Sequence, residues 1–176
     1  CAKRFVIATG AKPLLPPIAG LESVPFHTNE TIFANTQLPE HLIIIGGGPV
    51  GMELAQAHCR LGSGVTVLDQ HEFLSTYEPE LVEILVTRMR SKGVQTYGNV
   101  AVQSVRPAST GGLDVAYQQG GEQKELHGSH LLVVTGRGPN VEGVGLDKAR
   151  VKYSHLGIQV NSRLRTSNKR IYAAGD

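Results

Sequence analysis

Residues 42–53 read Leu-Ile-Ile-Ile-Gly-Gly-Gly-Pro-Val-Gly-Met-Glu, and this stretch constrains the fold more than any other in the chain of 176 residues. Its first four residues are apolar without a break, which is typical of a strand buried in a parallel sheet. The glycines follow at once, and Pro49 stands where the first turn of a helix tolerates its missing N–H. The pattern predicts a strand, a tight turn and a helix that ends near Gly62.

Three spaced glycines, Gly46, Gly48 and Gly51, match the pattern G-x-G-x-x-G of dinucleotide-binding folds. The first permits a tight turn, the second lets a pyrophosphate lie against the backbone, and the third lets the helix pack closely on the sheet. The N-terminus of the helix adds free N–H groups and a partial positive charge. We therefore predict a nucleotide-binding loop made of Gly46, Gly47, Gly48, Pro49, Val50, Gly51 and Met52.

An acid closes the next predicted strand, Val65-Thr-Val-Leu-Asp69. Asp69 stands 23 residues after Gly46, close to the spacing of about 20 residues expected for an acid that binds the ribose. A carboxylate at this position accepts a hydrogen bond from a ribose 2′-hydroxyl and repels a 2′-phosphate. Residues 69–87 contain no Arg or Lys that could offset the repulsion. The sequence therefore favours NAD(H) over NADP(H).

The segments after Asp69 predict the rest of an α/β domain. Apolar residues at helical spacing indicate a second helix over 80–90, and a short strand is expected over 94–97. Three alternating segments joined by Gly-rich turns indicate an antiparallel meander, and a continuous apolar run at 130–135 indicates another buried strand. The predicted fold class is α/β: a three-layer, Rossmann-like parallel sheet with an inserted three-stranded antiparallel meander. The meander strands are expected over residues 100–105, 112–117 and 122–126.

The outer parts of the chain have weaker patterns. Residues 5–10 read as a buried strand ending in a glycine turn, and the prolines within 11–41 indicate an irregular connector. Residues 136–147 are expected to form a Gly/Pro loop, and residues 151–176 two or three short strands. Because the last residues are a strand that just reaches its turn, we expect the sequence to be a piece of a longer enzyme.

Composition and charge argue against several classes of function. The net charge of +2 gives no electrostatic argument for binding nucleic acid or a membrane surface. No apolar run approaches the roughly 20 residues needed to span a bilayer, and no leader pattern is visible. The two cysteines are widely spaced and do not make a disulfide framework. A chain without such a framework is typical of the reducing cytoplasm, so a cytoplasmic location is predicted. The seven histidines show no metal-binding spacing, so no metal site is expected.

Two side chains near the loop admit alternative interpretations. Glu53 has two possible roles. It is either an acid in the first helical turn that the helix dipole stabilises, or a residue that contacts the nicotinamide side of a nucleotide. Cys59, on the same predicted helix, fits either a packed core thiol or a redox-active thiol, and the packed thiol is preferred because free cysteines are commonly buried. Residue type alone does not decide the role of Glu53.

Taken together, the motifs resemble those of the pyridine nucleotide–disulfide oxidoreductases, in particular the dihydrolipoamide dehydrogenase and mercuric reductase branch. The resemblance covers essentially the whole chain and depends on the order and spacing of five motifs. They are Ala8-Thr-Gly10, Gly46-Gly-Gly-Pro-Val-Gly-Met-Glu53, Val65-Thr-Val-Leu-Asp69, Thr135-Gly-Arg-Gly-Pro-Asn140 and Tyr172-Ala-Ala-Gly-Asp176.

The resemblance implies two cofactors, NAD(H) and FAD, with hydride passing between them in the intact enzyme. Residues 46–53 and Asp69 would bind NAD, with Glu53 on the nicotinamide side. Gly136 would line the same site, and Val102 would touch the adenine.

The resemblance also implies an incomplete FAD site in this chain. Thr9 and Gly10 would approach the adenosine of FAD, and Asp176 would hydrogen-bond the ribityl region. No catalytic residue is expected here, because the family's Cys-x-x-x-x-Cys redox pair, its first FAD-binding glycine motif and its C-terminal dimerisation domain are not in this sequence.

The implied domains are an FAD-domain flank and connector at residues 1–37, an NAD-binding domain at 38–140 and a return to the FAD-domain flank at 141–176. The rest of the FAD domain and the dimerisation domain would be its partners in an intact homodimer. The isolated chain is therefore expected to bind NAD and to catalyse little.

Asp69 points to one branch of the family. Mercuric reductases, which the family associates with NADPH, typically lack an acid at this place, so an enzyme like dihydrolipoamide dehydrogenase is preferred. The alternatives are a mercuric reductase or NADH oxidase relative, and a non-catalytic NAD-sensing module. Asp176 argues against the sensing module, because such a module needs no flavin-site acid.

Overall fold

The computed structural model describes residues 2–175, and its helices and strands are short. Residues 2–175 form two α-helices, α1 (Pro49–Leu61) and α2 (Pro79–Ser91), and single 3-10 turns at Leu21–Ser23 and Ile32–Ala34. The strands are β1 (Phe5–Ile7), β2 (Ala11–Pro13), β3 (His41–Ile45), β4 (Gly64–Leu68), β5 (Gln95–Tyr97), β6 (Ala101–Pro107), β7 (Leu113–Gln119), β8 (Glu122–Gly128), β9 (His130–Val133), β10 (Arg137–Pro139), β11 (Tyr153–Ser154), β12 (Gly157–Ile158) and β13 (Ile171–Ala173).

The chain forms two compact units. Residues 15–136 make up the first, called here the continuous unit, and residues 1–14 with 137–176 make up the second, called the split unit. These units are defined by contacts within the chain, whereas the domain boundaries expected from the resemblance refer to cofactors. The division at residues 37 and 140 therefore stays a prediction.

A four-stranded parallel sheet forms the middle of the continuous unit, in the order β5-β4-β3-β9. Its central strands are mostly apolar because both faces are covered, although Thr66 is buried within β4. Leu42 and Ile44 of β3 pack in the core under the two helices, and Ile43 and Ile45 pack in a second core on the opposite face. The predicted three-layer arrangement is confirmed.

The helix α1 begins and ends as its sequence predicts. Gly48 is its N-cap, Pro49 is its first residue, and Gly62 closes it in the left-handed conformation with a φ of 106°. The N–H of Gly62 donates to the carbonyl of Cys59 at 3.1 Å, which satisfies a free carbonyl of the last turn. The other helix, α2, extends one residue beyond the predicted range at each end.

The inserted meander is an antiparallel sheet in the order β6-β7-β8, as predicted, although each strand is longer than expected. Val105, Leu113, Val115 and Tyr117 turn into the second core, against the face of the parallel sheet opposite the helices. A β-bulge between Val102 and Ser104 shifts the register of β6. Alternation of burial along β7 explains why its period of two was visible in the sequence.

The split unit corrects two expectations. Residues 5–7 form β1 as predicted, parallel to β13, but the strand is not buried: Phe5 is 53% exposed and Val6 is 69% exposed. Residues 136–147 are not only a loop, because Arg137–Pro139 form β10 and pair antiparallel with β2. The third prediction, of short strands over 151–176, is confirmed by β11, β12 and β13.

Two histidines begin neighbouring strands at the amino ends of the parallel sheet. His41 Nε2 lies 2.9 Å from Thr66 Oγ1, and His130 Nδ1 lies 3.0 Å from Ser129 Oγ. Burial lowers the pKa of His41, and the nearby His127 lowers it further. Burial also lowers the pKa of His130, with smaller contributions from His27 and His58. The fold therefore favours the neutral form of both rings.

We expect stability to fall as the pH drops below about 6.5, the ordinary pKa of histidine. Below that pH the unfolded chain binds more protons at His41 and His130 than the folded chain does, so protonation drives unfolding. The loss grows until the pH passes the lowered folded pKa values. Thermal unfolding at about pH 7.5 and about pH 5.5 measures it. His41→Asn should show a smaller pH dependence than the wild type, and an identical dependence would contradict the role of this ring.

Candidate nucleotide-binding site

The glycine loop, defined as residues 46–51, leaves the parallel sheet where the carboxyl ends of three strands meet. Gly46 N donates to the carbonyl of Leu68 at the end of β4, at 2.9 Å. Val134 N, just after β9, donates to the carbonyl of Ile45 at 2.8 Å. This edge of an open parallel sheet is where ligands bind in such folds.

Two of the glycines are required by close approaches within the protein. Gly46 has a φ of 118°, and a Cβ there would overlap the carbonyl of Val134. A Cβ on Gly51 would overlap the carbonyl of Gly46 across the turn. These contacts agree with the expected roles of the first and third motif glycines, which are the tight turn and the close packing of the helix.

Gly48 differs from both, because a Cβ at this position would meet nothing within 4 Å. Its φ of −73° and ψ of −176° are open to any residue, so the backbone does not demand glycine. Gly48 is also the N-cap of α1, without a side-chain cap, beside the N–H groups that a helix leaves free in its first turn. The open space is therefore a cradle that an anionic group can enter.

Gly47 is held by the segment that follows β4. Its N–H donates to Asp69 Oδ2 at 2.5 Å, and its carbonyl accepts from Leu74 N at 3.2 Å. A Cβ on Gly47 would overlap the ring of Phe73, which is buried. The G-x-G-x-x-G pattern leaves this position free, so the spacing of glycines gave no indication of the contact.

Asp69 lies at the end of β4, half-buried, next to the glycine loop. Besides the bond from Gly47, its Oδ1 accepts from His71 N at 2.7 Å. The two N–H donors fix the orientation of the carboxylate, and each oxygen keeps a further lone pair for a hydroxyl donor. The structure thus brings the predicted ribose acid and the predicted phosphate loop together.

Val102 and Gly136 approach the same edge from two other elements. Val100 N donates to the carbonyl of Asp69 at 2.9 Å, and Val102 follows on β6, half-buried against the second core. Gly136 comes two residues after Val134 and has a φ of 151°, with nothing within 4 Å of a Cβ. Both positions are compatible with the roles that the resemblance implies.

The helix residues after the loop divide into core and surface. Val50 is 38% exposed, whereas Met52 is buried in the core under the helices, so Met52 serves packing. Glu53 is exposed and is the fifth residue of α1, beyond the first turn, which contains no acid. The helix-dipole interpretation of Glu53 is therefore wrong, since the effect is confined to the first turn. Glu53 lines a cavity of about 340 Å³ between α1 and α2.

The residues expected at FAD lie in the split unit. Thr9 Oγ1 donates to the carbonyl of Asn140 at 2.8 Å, and Asn140 Nδ2 donates to the carbonyl of Thr9 at 2.9 Å. Gly10 has a φ of 68°. Thr9, Gly10 and Asn140 line a cavity of about 300 Å³ with Gly175. Asp176, the predicted ribityl contact, lies outside the described residues.

Other candidate groups have ordinary surroundings. Cys59 packs half-buried against the core under the helices, and its Sγ donates to the carbonyl of Lys92 at 3.2 Å. Among residues 2–175, no group of three His, Cys, Asp or Glu side chains is placed to hold a metal ion. Within the same range, no helix has the length and apolar character required to cross a bilayer.

The continuous unit has a parallel sheet with a glycine loop at its carboxyl edge, an acid after the next strand and an inserted antiparallel sheet. These features define a Rossmann-like α/β protein. The chain is 40% identical to mercuric reductase of Streptomyces lividans, over 99% of this chain and 37% of the relative. It is 32% identical to dihydrolipoyl dehydrogenase of Geobacillus stearothermophilus, again over 99% and 37%. The HOCl-induced flavoprotein disulfide reductase RclA of Escherichia coli superposes with a TM-score of 0.89 at 29% identity, over 99% of this chain and 39% of that chain.

The chain belongs to the pyridine nucleotide-disulphide oxidoreductase family, whose sequence profile matches residues 1–176. The predicted family is therefore confirmed, and both enzyme names of the predicted branch occur among the relatives. The chain spans 37% of the length of each of these two relatives. The choice between the two branches stays a prediction.

Proposed function

We propose that this chain is the NAD(H)-binding part of a FAD-dependent disulfide oxidoreductase. The observation that carries the proposal is the open backbone at Gly48, with nothing within 4 Å of a Cβ, at the start of α1. A pyrophosphate placed there would meet the free N–H groups of the first helical turn and no side chain of the loop. Asp69, bonded to the neighbouring Gly47, would then accept from the adenosine ribose.

The remaining residues of the site have supporting roles in this proposal. Gly136 and Val102 would contact the nucleotide from the segments after β9 and within β6, and Val50, which is exposed, would contribute apolar surface at the helix start. Glu53 would contact the nicotinamide half, because it is exposed and follows the phosphate cradle along α1. When bound, the nicotinamide and the flavin carry the hydride transfer. The side chains named here bind and orient, and none of them has a catalytic role.

The FAD contacts would come from the split unit, through Thr9, Gly10 and Asp176. Thr9 donates its hydroxyl to the carbonyl of Asn140, which would hold the turn where Thr9 and Gly10 approach the adenosine of FAD. The rest of the FAD site, the redox-active cysteines and the dimerisation domain would be supplied by the other parts of a longer, homodimeric enzyme.

A second candidate function is that of a mercuric reductase. Its support is the identity of 40% to the Streptomyces lividans enzyme, against 32% to the dihydrolipoyl dehydrogenase. Asp69 favours the dehydrogenase, because a carboxylate beside the ribose repels the 2′-phosphate of NADPH. Nucleotide preference therefore separates the two candidates, and calorimetric titration of the chain with NADH and with NADPH measures it.

We expect Asp69→Ala to lower NADH affinity by about 10- to 100-fold, because hydrogen bonds to a charged group contribute about 1.5–3 kcal/mol. NADPH should lose much less, because the variant also removes the repulsion. The ratio of the two affinities is the deciding quantity, since loosening of the glycine loop would weaken both nucleotides alike.

Glu72→Ala is the matched control for this variant, because it removes one exposed carboxylate from the same segment. It should leave the ratio of NADH to NADPH affinity unchanged. If Asp69→Ala keeps the wild-type ratio, another residue recognises the ribose. If neither nucleotide binds the wild-type chain, the proposed function itself is wrong.

A further inference from the structure

One leucine beside the glycine loop has an unfavourable backbone conformation. Leu74 has a φ of 50°, in the left-handed region that a residue with a Cβ seldom occupies. Strain of this kind persists only where the surrounding structure imposes it, and it is concentrated at binding sites. Leu74 follows Asp69 by five residues, in the segment that joins β4 to α2.

Contacts on both sides hold Leu74 in this conformation. Its half-buried side chain packs against the core under the two helices, directly after the buried ring of Phe73. Its carbonyl accepts from Tyr77 N at 2.9 Å, and its N–H donates to the carbonyl of Gly47 at 3.2 Å. With the side chain and the carbonyl both anchored, the left-handed backbone presents the N–H to the glycine loop.

The bond from Leu74 fixes the plane of the peptide between Gly47 and Gly48. Residues 2–175 contain no cis peptide bond, and in a planar trans peptide the N–H points opposite to the C=O. Because the carbonyl of Gly47 points at Leu74, the N–H of Gly48 points away from the segment after β4. In the part of the chain that the structure describes, this N–H has no hydrogen-bond acceptor.

The preceding peptide is oriented in the same way. The N–H of Gly47 donates to Asp69, so the carbonyl of Gly46 points away from Asp69. A Cβ on Gly51 would overlap that carbonyl, which therefore lies on the side of α1. Asp69 and Leu74 thus hold both polar groups of Gly47 and set the orientation of two successive peptides.

Few donors are available at the start of α1. A helix leaves the N–H groups of its N-cap and its first three residues without partners in the helix. The N-cap here is Gly48, and the first residue is Pro49, which has no N–H. An anion at this end therefore depends on the N–H groups of Gly48, Val50 and Gly51, and rotation of the peptide before Gly48 would remove one of them.

We propose that Leu74 is a positioning residue for the nucleotide. Its left-handed backbone holds the peptide between Gly47 and Gly48 so that the N–H of Gly48 is directed at the pyrophosphate. This inference rests on the proposed function, because it concerns the same phosphate site. Leu74 acts through Gly47 and does not touch the nucleotide itself.

The test removes the N–H of Leu74 and keeps its side chain, by replacing Leu74 in the full chain with its α-hydroxy analogue, leucic acid. The resulting backbone ester has no donor for the carbonyl of Gly47. We expect the affinity for ADP to fall about three- to tenfold, the contribution of about one hydrogen bond. The affinity for adenosine should change much less, because adenosine has no phosphate. Titrations followed by heteronuclear NMR measure both, and ADP should shift the amide resonance of Gly48 less in the ester than in the wild type.

The matched control is the same ester at Lys92, whose N–H donates to the carbonyl of Met89 at 3.0 Å, at the end of α2. It should keep the wild-type ratio of ADP affinity to adenosine affinity. Leu74→Gly tests the side chain, because glycine keeps the N–H and adopts a φ of 50° freely. This variant should lower the ratio less than the ester does. An equal or larger loss would assign the effect to the side chain and overturn the proposal.

Hydrogen exchange of the wild-type chain is a second measurement, which does not depend on the folding of a variant. Because coupling between two sites is reciprocal, saturating ADP should slow exchange of the Leu74 amide about threefold or more, and adenosine should not. Unchanged exchange, or an unchanged affinity ratio in a folded ester variant, would overturn the role of Leu74 and leave the proposed function standing. Failure of the wild-type chain to bind ADP would overturn the proposed function and this inference with it.

Discussion

Gly48→Val should abolish NADH binding, with a loss of at least about 100-fold, and should leave the fold intact. A loss of this size corresponds to about 2.7 kcal/mol, the scale of a ligand contact replaced by a clash. A Cβ added at Gly48 meets no protein atom within 4 Å, and the backbone angles of Gly48 suit valine, whose side chain extends further into the same open space. It would occupy the space proposed for the pyrophosphate. Calorimetric titration with NADH measures the loss, and thermal unfolding measures the fold.

The free energy of unfolding of Gly48→Val should be lower than that of the wild type by only about 1 kcal/mol, because valine is a poorer N-cap than glycine. Ala57→Val is a suitable control, since it adds bulk to an exposed position of the same helix, more than two turns away. That variant should bind NADH normally. Native affinity in Gly48→Val would show that the phosphates do not lie against this backbone.

Gly47→Ala should destabilise the protein by about 1–3 kcal/mol, the usual cost of forcing extra atoms into a packed site. Its methyl group would overlap the ring of Phe73, which cannot move freely because it is buried. Moving the loop instead would stretch the bonds from Gly47 to Asp69 and Leu74. NADH affinity should therefore fall together with stability. Denaturant unfolding and calorimetry measure the two losses.

A double-mutant cycle separates this contact from other effects of the substitution. Phe73→Ala alone should be destabilising, because it empties a buried site. Adding Gly47→Ala to that background should cost much less than in the wild type, since the obstructing ring is gone and only the Cβ of Asp69, 3.2 Å away, remains close to the added methyl group. Phe73→Val serves the same purpose if the alanine variant is too unstable to study. Equal cost of Gly47→Ala in both backgrounds would exclude Phe73 as the reason for the glycine.

The core of the fold was predictable because its patterns are local. The apolar run before Gly46 is short and is followed at once by glycines and a helix start, which together indicate a parallel strand covered on both faces. Gly62 and Pro49 mark the ends of α1 by their own backbone preferences. The meander was equally visible, since β7 alternates buried and partly buried residues along its length.

The errors arose where the outcome depends on distant parts of the chain. Phe5 and Val6 have strand-forming side chains, but their burial depends on what packs against β1, and neither is buried in this chain. β10 contains Gly138 and Pro139, which indicate a loop, and it becomes a strand only through its pairing with β2. The contact of Phe73 with Gly47 depends on the path of the segment after Asp69, for which no motif exists.

The split unit also has a consequence for how the chain reaches its native state. Phe5 pairs with Ile171, so β1 and β13 can meet only after the long segment between them has been brought back on itself. Closing so long a loop costs entropy that no local contact repays, unless the intervening residues are already compact. Residues 15–136 are continuous and can collapse first, which shortens the effective loop. The connectivity therefore favours an order of assembly in which the parallel sheet of the continuous unit forms before β1 pairs with β13.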